Sequence, residues 1–447
     1  MQRLAILTAG GDTPALNATL YGAANKCCAA NVELVGLIGG YRSLFDDAVP
    51  HVILNPSGVT IPELDPTWGG TIIGSSRHYV DANDQVTIKQ AIRNLSRLNV
   101  DGLICVGGDG TINAMQALSS HLPVALAPKT IDNDLGLNYA NERFDATDEA
   151  ACRPVISPCE MINYATPGYA TAVFVAANGL SRVRTTAESH SRVAIVEVMG
   201  RHSGYIALGA SYGQPDIVLI PESPIDPGRL CEQVRKIYLA QKHAVIVCGE
   251  GVVDSQGDVI GSSRNSTDPA GNRVLSGAAE GLKRLLAENI PDQFFQQTGG
   301  MPDANSSIFT RKVGHTQRGG RPLLFDRYYA TQLGSKSVEL LLDGQSNVLS
   351  TLQYEPNQGF TIESIDANAL RDPHGIIHAR KVHPCFYDSS EMRISKVGVE
   401  YLMPIFKNAI ADSDMEAVRQ SVFDSGNLHH KYESVQVRMA RRIQELP

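Results

Sequence analysis

Short apolar runs alternate with longer amphipathic stretches along the first half of the chain. Apolar runs of this length, with little polar alternation, are typical of strands that are buried on both faces of a sheet. The runs cover residues 4–7, 34–38, 102–106, 124–127, 193–198, 217–220 and 244–248. Helical stretches such as 84–98 and 228–241 separate them, so the pattern predicts an α/β fold with mainly parallel sheets and right-handed crossovers.

The runs fall into two groups, which predict two sheets of different size. Those before residue 128 suffice for one sheet, and those from 193 to 248 suggest a second, smaller one. Residues 138–166 are polar and contain Cys and Pro, which indicates an insertion or a connection between lobes. Residues 350–447 begin like a loop and end in a helical pattern at 413–446, for which we predict packing or subunit contact.

Composition narrows the class of protein. The chain has 447 residues and a net charge of −8 without a Lys/Arg-rich run, which argues against a nucleic-acid or anionic-membrane surface. No apolar stretch reaches the ~18–20 residues that span a bilayer, and no signal peptide is visible. The eight cysteines form no Cys-x-x-Cys pair. They predict reduced thiols, no structural zinc and a cytoplasmic protein.

Polar, glycine-containing loops follow several of the predicted strands, where α/β sheets bind their ligands. The loops cover residues 8–18, 69–77, 107–111 and 128–134. Double glycines let the backbone approach a ligand closely, and a following helix N-terminus offers free N–H groups to an anion. One such loop is also compatible with a tight structural turn, but four in one α/β pattern indicate a phosphate site.

Carboxylates in the third and fourth loops indicate phosphoryl transfer. Asp109 lies between glycines in Gly-Gly-Asp-Gly-Thr, where it can reach the magnesium ion of a polyphosphate. The same pentapeptide type occurs in NAD kinases and lipid kinases, so it indicates the reaction better than the acceptor. Asp132 and Asp134 are two residues apart after a strand and can divide the work of general base and metal support.

Arginines supply the opposite charge in an otherwise acidic protein. Arg192 and Arg201 flank one predicted strand, and Arg318 lies in a glycine-rich loop. Each can clamp a phosphorylated substrate, or instead be a solvated surface side chain. His315 in the same loop as Arg318 is more often a structural hydrogen-bond donor than a ligand.

In combination and in order, these motifs resemble those of the 6-phosphofructokinase family. The resemblance covers residues 4–335 apart from 138–166 and rests on segments 10–12, 74–77, 107–111, 130–134, 196–201 and 314–320. It implies two Rossmann-like lobes with the active site between them. Residues 1–137 and about 251–335 would form a larger donor-binding lobe, and 138–250 a smaller sugar-phosphate-binding lobe with an insertion at 138–166. Residues 336–447 would be a C-terminal extension of mixed loop and helix.

The resemblance also implies roles for individual residues. Asp132 would take the proton from the C1 hydroxyl of fructose 6-phosphate, with Thr130 close to the transferring phosphoryl group and Arg201 stabilising the transition state. Asp109 and Asp134 would serve Mg²⁺. Donor contacts would come from Gly11, Arg77, Gly108, Gly110, Thr111 and Lys129. Sugar-phosphate contacts would come from Thr130, Asp132, Arg192, Met199, Gly200, Arg201, Glu250, His315 and Arg318.

Two residues give opposite indications of the phosphoryl donor. Lys129 resembles the pyrophosphate-dependent members of the family, whereas Gly110 stands where those members usually have Asp. We weight Gly110 more heavily, because an Asp there would crowd and repel the α-phosphate of a nucleotide. The sequence therefore predicts ATP as donor, with pyrophosphate as the alternative and a non-catalytic sugar-phosphate-binding regulatory paralogue as a more distant one.

Two residues differ from the family pattern on the side that would bind the sugar phosphate. Phe309 occupies the position of the family's second phosphate-binding arginine, and Arg311 lies two residues further on as a replacement. Ala170 stands where the family usually has Asp. The family's use of Arg192 across a subunit interface implies a homodimer or homotetramer.

Overall fold

The structure is a computed structural model that describes residues 1–142, 153–261, 277–298, 301–409 and 435–444. Its strands are β1 (Arg3–Ala9), β2 (Glu33–Leu37), β3 (His51–Ile53), β4 (Ser75–Ser76), β5 (Gly102–Gly107), β6 (Val124–Pro128), β7 (Val193–Val198), β8 (Ile217–Leu219), β9 (Ala244–Gly249), β10 (Ile308–Lys312), β11 (Val348–Glu355), β12 (Gly359–Asp366), β13 (Tyr387–Asp388) and β14 (Arg393–Ile394). All seven strands predicted from apolar runs are present within one or two residues of their expected bounds.

The helices of the described residues are α1 (Leu16–Ala29), α2 (Gln85–Arg97), α3 (Asp109–Leu118), α4 (Tyr169–Ser189), α5 (Tyr205–Gly209), α6 (Pro227–Gln241), α7 (Ala278–Asn289), α8 (Asp292–Gln297), α9 (Ala304–Ser307), α10 (Leu324–Leu342), α11 (Lys396–Lys407) and α12 (Val435–Gln444). The carboxylate of Asp84 caps α2 by accepting hydrogen bonds from the N–H groups of Val86 and Thr87. No helix in these parts of the chain is long and apolar enough to cross a bilayer.

The larger sheet has the strand order β12-β11-β6-β5-β1-β2-β3, with β4 beside β1. Its central pairs are parallel, whereas β3 and β12 join the two edges antiparallel to β2 and β11. The smaller sheet, β10-β7-β9-β8, is parallel throughout. The α/β fold with two mainly parallel sheets is confirmed.

Helices α1 and α10 pack against each other unusually closely. A Cβ at Gly22 would lie 1.9 Å from the carbonyl oxygen of Thr331, and one at Gly334 would lie 2.1 Å from that of Thr19. Both distances are far inside van der Waals contact, so only glycine permits this spacing. Because α1 follows directly from the loop after β1, the packing also fixes the position of that loop.

Two strands belong to a different sheet or segment from the one that the sequence predicts. Strand β10 lies within the range 251–335 assigned to the larger lobe, but it pairs with β7 in the smaller sheet. Strand β11 lies in the C-terminal extension, where a loop is expected, but it pairs with β6 in the larger sheet. Of the helix expected at 413–446, α12 accounts for 435–444, whereas residues 410–434 and 445–447 lie outside the described residues.

The segment expected to be an insertion is also only partly described. Residues 153–166 carry a short 3₁₀ turn, Pro158–Glu160, and several buried side chains. The carboxyl side of this segment packs against the larger sheet, since the N–H of Tyr164 donates to the carbonyl of Leu352 at 2.7 Å. Residues 143–152 of the same segment lie outside the described residues.

Candidate active site

The carboxyl ends of β1, β5 and β6 lie side by side and bring the glycine loops together. The N–H of Gly10, which has a φ of 80°, donates to Ser76 at 3.0 Å, and the N–H of Lys129 donates to Gly107 at 2.9 Å. A Cβ at Gly107 would lie 2.0 Å from Oγ1 of Thr111, so the turn into α3 requires glycine there. The loops thus form one cradle of backbone groups at the N-terminus of α3.

A cavity of about 160 Å³ opens at this cradle. Eleven of the residues predicted for the site line it, joined by Gly10, Thr13 and Tyr79. The eleven are Gly11, Arg77, Gly108, Asp109, Gly110, Thr111, Lys129, Thr130, Asp132, Asp134 and Arg318. Arg318 lies in the loop after β10, far from the other cavity residues along the chain. Its Nη1 donates to the carbonyl of Asp12 at 3.4 Å.

The carboxylates of the loop after β6 are crowded together. Oδ1 of Asp132 is buried and has no hydrogen-bond partner within the described parts of the chain. Burial raises the pKa of Asp132, and the neighbouring Asp109 adds to the effect, while Arg318 and Arg201 oppose it. Burial and then the charges of Asp132 and Asp109 raise the pKa of Asp134 to about 7. A proton acceptor with a raised pKa is suited to general-base work near neutral pH.

Lys129 is a buried cation at the floor of the same cavity. Its Nζ donates to the carbonyl of Ala9 at 2.9 Å and also to that of Gly11. Burial, followed by the charge of Arg318, lowers the pKa of Lys129 to about 7. The side chain therefore fixes the first loop, and because its pKa is near neutrality a bound phosphate would favour its charged form.

The loops after β7 and β9 carry the predicted residues Arg201 and Glu250, which lie outside the lining of the cavity. A Cβ at Gly251 would lie 1.9 Å from the carbonyl oxygen of Arg201, so these two loops touch through their backbones. The charge of Arg201 partly opposes the rise in the pKa of Asp132 that burial causes. Glu250 is half-buried, and burial together with the charge of Asp132 raises its pKa to about 7. Gly200, with a φ of 122°, makes the turn that precedes Arg201.

Met199 and His315 do not line the cavity but are joined by hydrogen bonds to residues next to Arg318 or to Arg318 itself. The N–H of Met199 donates to Oε1 of the buried Gln317 at 2.9 Å, which ties the end of β7 to the loop that carries Arg318. His315 is exposed in the 3₁₀ turn Gly314–Gln317, and its carbonyl accepts from the N–H of Arg318 at 3.0 Å.

Arg192 is the predicted residue that the structure separates from the others. It precedes β7, whereas Met199 and Arg201 follow it, so a strand of six residues, or about 20 Å, lies between them. The guanidinium of Arg192 stacks on the ring of Phe309 at 4.9 Å, and that of Arg311 lies over the same ring at 5.3 Å. The two arginines therefore share one aromatic ring, and neither lines the cavity.

Tyr79 is a cavity residue that sequence reasoning missed, although it lies two residues after Arg77. A Cβ at Gly110 would lie 3.5 Å from the hydroxyl and ring of Tyr79. The space that a glycine at this position was expected to leave open is thus partly filled by an aromatic side chain. Its hydroxyl is also 3.5 Å from the position of a Cβ at Gly10, so the ring bridges the first and third loops.

The donor set fits Mg²⁺ only together with a phosphorylated ligand. Among the described residues, no group of three His, Cys, Asp or Glu side chains can hold a metal by itself. Mg²⁺ commonly binds one or two carboxylates and completes its shell with phosphate oxygens and water. Asp109 and Asp134 beside the cradle, with the partnerless oxygen of Asp132, match that mode.

Two facing α/β lobes, a glycine cradle, clustered carboxylates and converging cations define a phosphoryl-transfer enzyme. The phosphofructokinase family model matches residues 3–140 and 161–341. The chain belongs to the phosphofructokinase family, whose members are phosphotransferases of glycolysis. The match stops before β11, so the C-terminal extension lies outside the part that defines the family.

Curated relatives of this chain include enzymes for both donors. An ATP-dependent 6-phosphofructokinase of Corynebacterium efficiens is 32% identical over 369 residues, which cover 79% of this chain and 90% of the relative. A pyrophosphate–fructose 6-phosphate 1-phosphotransferase of Streptomyces coelicolor is 33% identical over 356 residues, with coverage of 78% and 90%. The fold matches a pyrophosphate-dependent phosphofructokinase crystal structure from Marinobacter aquaeolei with a TM-score of 0.69, 16% identity and 91% coverage of each chain.

Proposed function

We propose that this protein transfers the γ-phosphoryl group of ATP to the C1 hydroxyl of fructose 6-phosphate, with Asp132 as general base. The observation that carries the proposal is the buried, partnerless oxygen of Asp132, which faces the cradle of Gly11, Gly108 and Gly110. A carboxylate in this position can accept the proton of a hydroxyl brought in from the opposite lobe.

The reaction follows from this arrangement. The C1 oxygen forms a bond to the γ-phosphorus while the bond to the β–γ bridging oxygen breaks, and the hydroxyl proton moves to Asp132, leaving ADP. Lys129, Arg201 and Arg318 place positive charge around the transferring group, where it stabilises the charge spread over the phosphoryl oxygens. Asp109 and Asp134 would hold Mg²⁺, which supplies further neutralisation of the donor phosphates.

The sugar phosphate is proposed to bind between the lobes. Met199, Gly200 and Glu250 follow strands of the smaller sheet, and burial and the charge of Asp132 raise the pKa of Glu250, which supports a sugar-phosphate site on this side together with His315. We further propose that the protein is a cytoplasmic homo-oligomer in which Arg192 and Arg311 serve the site of a neighbouring subunit. Both lie outside the lining of the cavity and stack on the same ring of Phe309, which supports this role, with Arg311 in place of the missing family arginine.

A donor comparison tests the proposal directly. A coupled assay with ATP and pyrophosphate at equal concentration should show turnover of fructose 6-phosphate with ATP. A strong preference for pyrophosphate would leave the reaction class standing and overturn ATP as donor. The buried Lys129 and the ring of Tyr79 beside Gly110 are the observations that keep pyrophosphate as the second candidate.

The variant Gly110→Asp sharpens the donor test. The new Cβ would meet Tyr79 at an ordinary contact distance of 3.5 Å, and an acidic residue suits the first turn of α3, so the fold should be kept. We expect kcat/KM for ATP to fall about 100-fold, because the carboxylate would repel the donor phosphates. Gly110→Ala adds the same Cβ without charge and should change kcat/KM much less. Equal losses in the two variants would contradict the electrostatic explanation.

The raised pKa of Glu250 leads us to expect that the affinity for the sugar phosphate depends on pH. Its carboxyl group, with a pKa of about 7, keeps its proton in acid and becomes a carboxylate as the pH rises. A carboxylate accepts hydrogen bonds from two sugar hydroxyls, so KM for fructose 6-phosphate should fall about tenfold between about pH 6 and about pH 8. In Glu250→Gln this part of the dependence should vanish, leaving the ionisation of the substrate phosphate itself. An unchanged profile would remove Glu250 from the site.

A further inference from the structure

Arg380 is a fully buried arginine that the C-terminal extension inserts beneath the Asp132 loop. Its exposed fraction is 0%. Nη2 and Nε donate to the carbonyl of Asn133 at 2.7 and 3.2 Å, and Nη1 donates to the carbonyls of Asn163 and Ile162 at 2.7 and 3.3 Å. The main-chain N–H of Arg380 donates to the carbonyl of Asp134 at 2.6 Å. The residue thus holds two consecutive carbonyls of the loop.

The free-energy cost of burying the Arg380 guanidinium indicates that the residue does more than fill space. The guanidinium of Arg380 lies 5.2 Å from the ring centre of Tyr205. In the described parts of the chain the carboxylate of Glu142 is near enough for the charge of Arg380 to oppose the rise in its pKa that burial causes, but the hydrogen bonds of the guanidinium go to main-chain carbonyls. Burying a cation without a paired anion is costly, and an apolar side chain of similar volume would avoid that cost. What an apolar side chain cannot do is bind several main-chain carbonyls at once.

The loop itself needs such an anchor. Asn133 lies in the left-handed region with a φ of 55°, which is uncommon for a residue other than glycine. Its side chain is buried as well: Nδ2 donates to the hydroxyl of Tyr401 at 2.6 Å, and Oδ1 accepts from the N–H of Thr166 at 2.9 Å. With the backbone held in this way, Asp132 and Asp134 on either side of Asn133 both line the cavity.

We propose that Arg380, assisted by Tyr401, is a positioning residue that holds the Asn133–Asp134 backbone so that the carboxylate of Asp132 faces the acceptor hydroxyl. The inference rests on the proposed function of Asp132. It adds that the catalytic loop is completed by the C-terminal extension, whose described residues contribute no side chain to the cavity. Because a misplacement of about 1 Å costs about 100-fold in rate, the effect should appear in kcat rather than in substrate affinity.

Arg371 provides a matched comparison within the same extension. It also makes several hydrogen bonds across the chain, with Nε donating to Gln116 at 2.9 Å and Nη2 donating to Asn113 at 2.8 Å. These partners are side chains of α3, and Arg371 is partly exposed. A variant at Arg371 therefore removes a comparable network without touching the Asp132 loop.

The test measures kcat, both KM values and thermal stability for wild type, Arg380→Met, Arg380→Lys, Tyr401→Phe and Arg371→Met. We expect Arg380→Met to lower kcat about 100-fold with KM for fructose 6-phosphate changed less than about threefold. Arg380→Lys should recover about a tenth of the lost rate, since a lysine keeps the charge but not the fork of donors. Tyr401→Phe should lower kcat about tenfold, and Arg371→Met less than about twofold.

Several outcomes would overturn the inference. Wild-type kcat in Arg380→Met or Arg380→Lys would do so, as would equal losses per folded protein in Arg380→Met and Arg371→Met. If Arg380→Met does not fold, Tyr401→Phe decides, because it removes a single hydroxyl, and an unchanged kcat there is a negative result. An inactive wild type would overturn the proposed function and this inference with it, whereas an active wild type with fully active variants would overturn the inference alone.

Discussion

Replacing Asp132 with alanine or asparagine is expected to lower kcat about 10³- to 10⁴-fold while sugar-phosphate binding persists. The carboxylate is the acceptor for the C1 proton, and no other group of the described cavity combines burial, a raised pKa and a partnerless oxygen in the same way. The measurement is kcat from a coupled assay, with fructose 6-phosphate affinity from calorimetry. Unchanged turnover would remove Asp132 from the role of base.

Stability should move in the opposite direction in the Asp132 variants. A buried carboxylate whose pKa is raised prefers its proton in the folded state, so its charge at neutral pH destabilises the fold. Asp132→Asn removes that charge and should raise the thermal midpoint while activity falls. Asp258→Asn, a change to an exposed loop acid, serves as control and should alter neither quantity. Joint loss of activity and stability would instead indicate a structural role for Asp132.

Gly334→Ala is expected to destabilise the protein by about 3 kcal/mol or more. The added methyl group would lie 2.1 Å from the carbonyl oxygen of Thr19, and main-chain atoms cannot move aside as a flexible side chain can. Helices α1 and α10 must then separate, which also displaces the loop after β1. Thermal denaturation should show a midpoint lower by about 3 °C or more.

Gly179→Ala in α4 is the matched control for this prediction. Its Cβ would meet only Cγ2 of Val313, at 3.8 Å, so the space is available. Because alanine is the better helix former by about 1 kcal/mol, the midpoint should stay constant or rise. If both alanine variants behaved alike, the close contact between α1 and α10 would be contradicted.

Local patterns were sufficient for the strands and for most of the cavity. The glycine loops follow strand ends, and parallel strands bring their carboxyl ends to one edge, so Gly11, Asp109 and Asp132 could be expected to converge. The placement of Arg318 needed the family resemblance, because its loop follows β10 of the other sheet. Tyr79 was missed because a ring beside Gly110 depends on how the loop after β4 turns back, which no periodicity encodes.

The C-terminal extension was the least predictable part, for two physical reasons. In β11, the polar residues Ser350 and Thr351 interrupt the apolar run although both are buried, and Oγ of Ser350 bonds to main-chain carbonyls such as that of Leu333 at 3.1 Å. Buried hydroxyl residues of this kind look like loop residues in a sequence. Arg380 in turn acts on Asn133 from 247 positions away along the chain, a separation that no local motif reports.

The dependence of the Asp132 loop on Arg380 and Tyr401 has a consequence for biosynthesis. The amino-terminal part of a nascent chain leaves the ribosome first. The donor cradle and both carboxylates therefore emerge long before the side chains that align them. A nascent or prematurely terminated chain would carry every cavity residue and still lack an aligned base. Turnover would begin only after residues 380 and 401 have been translated, so activity would require this part of the C-terminal extension.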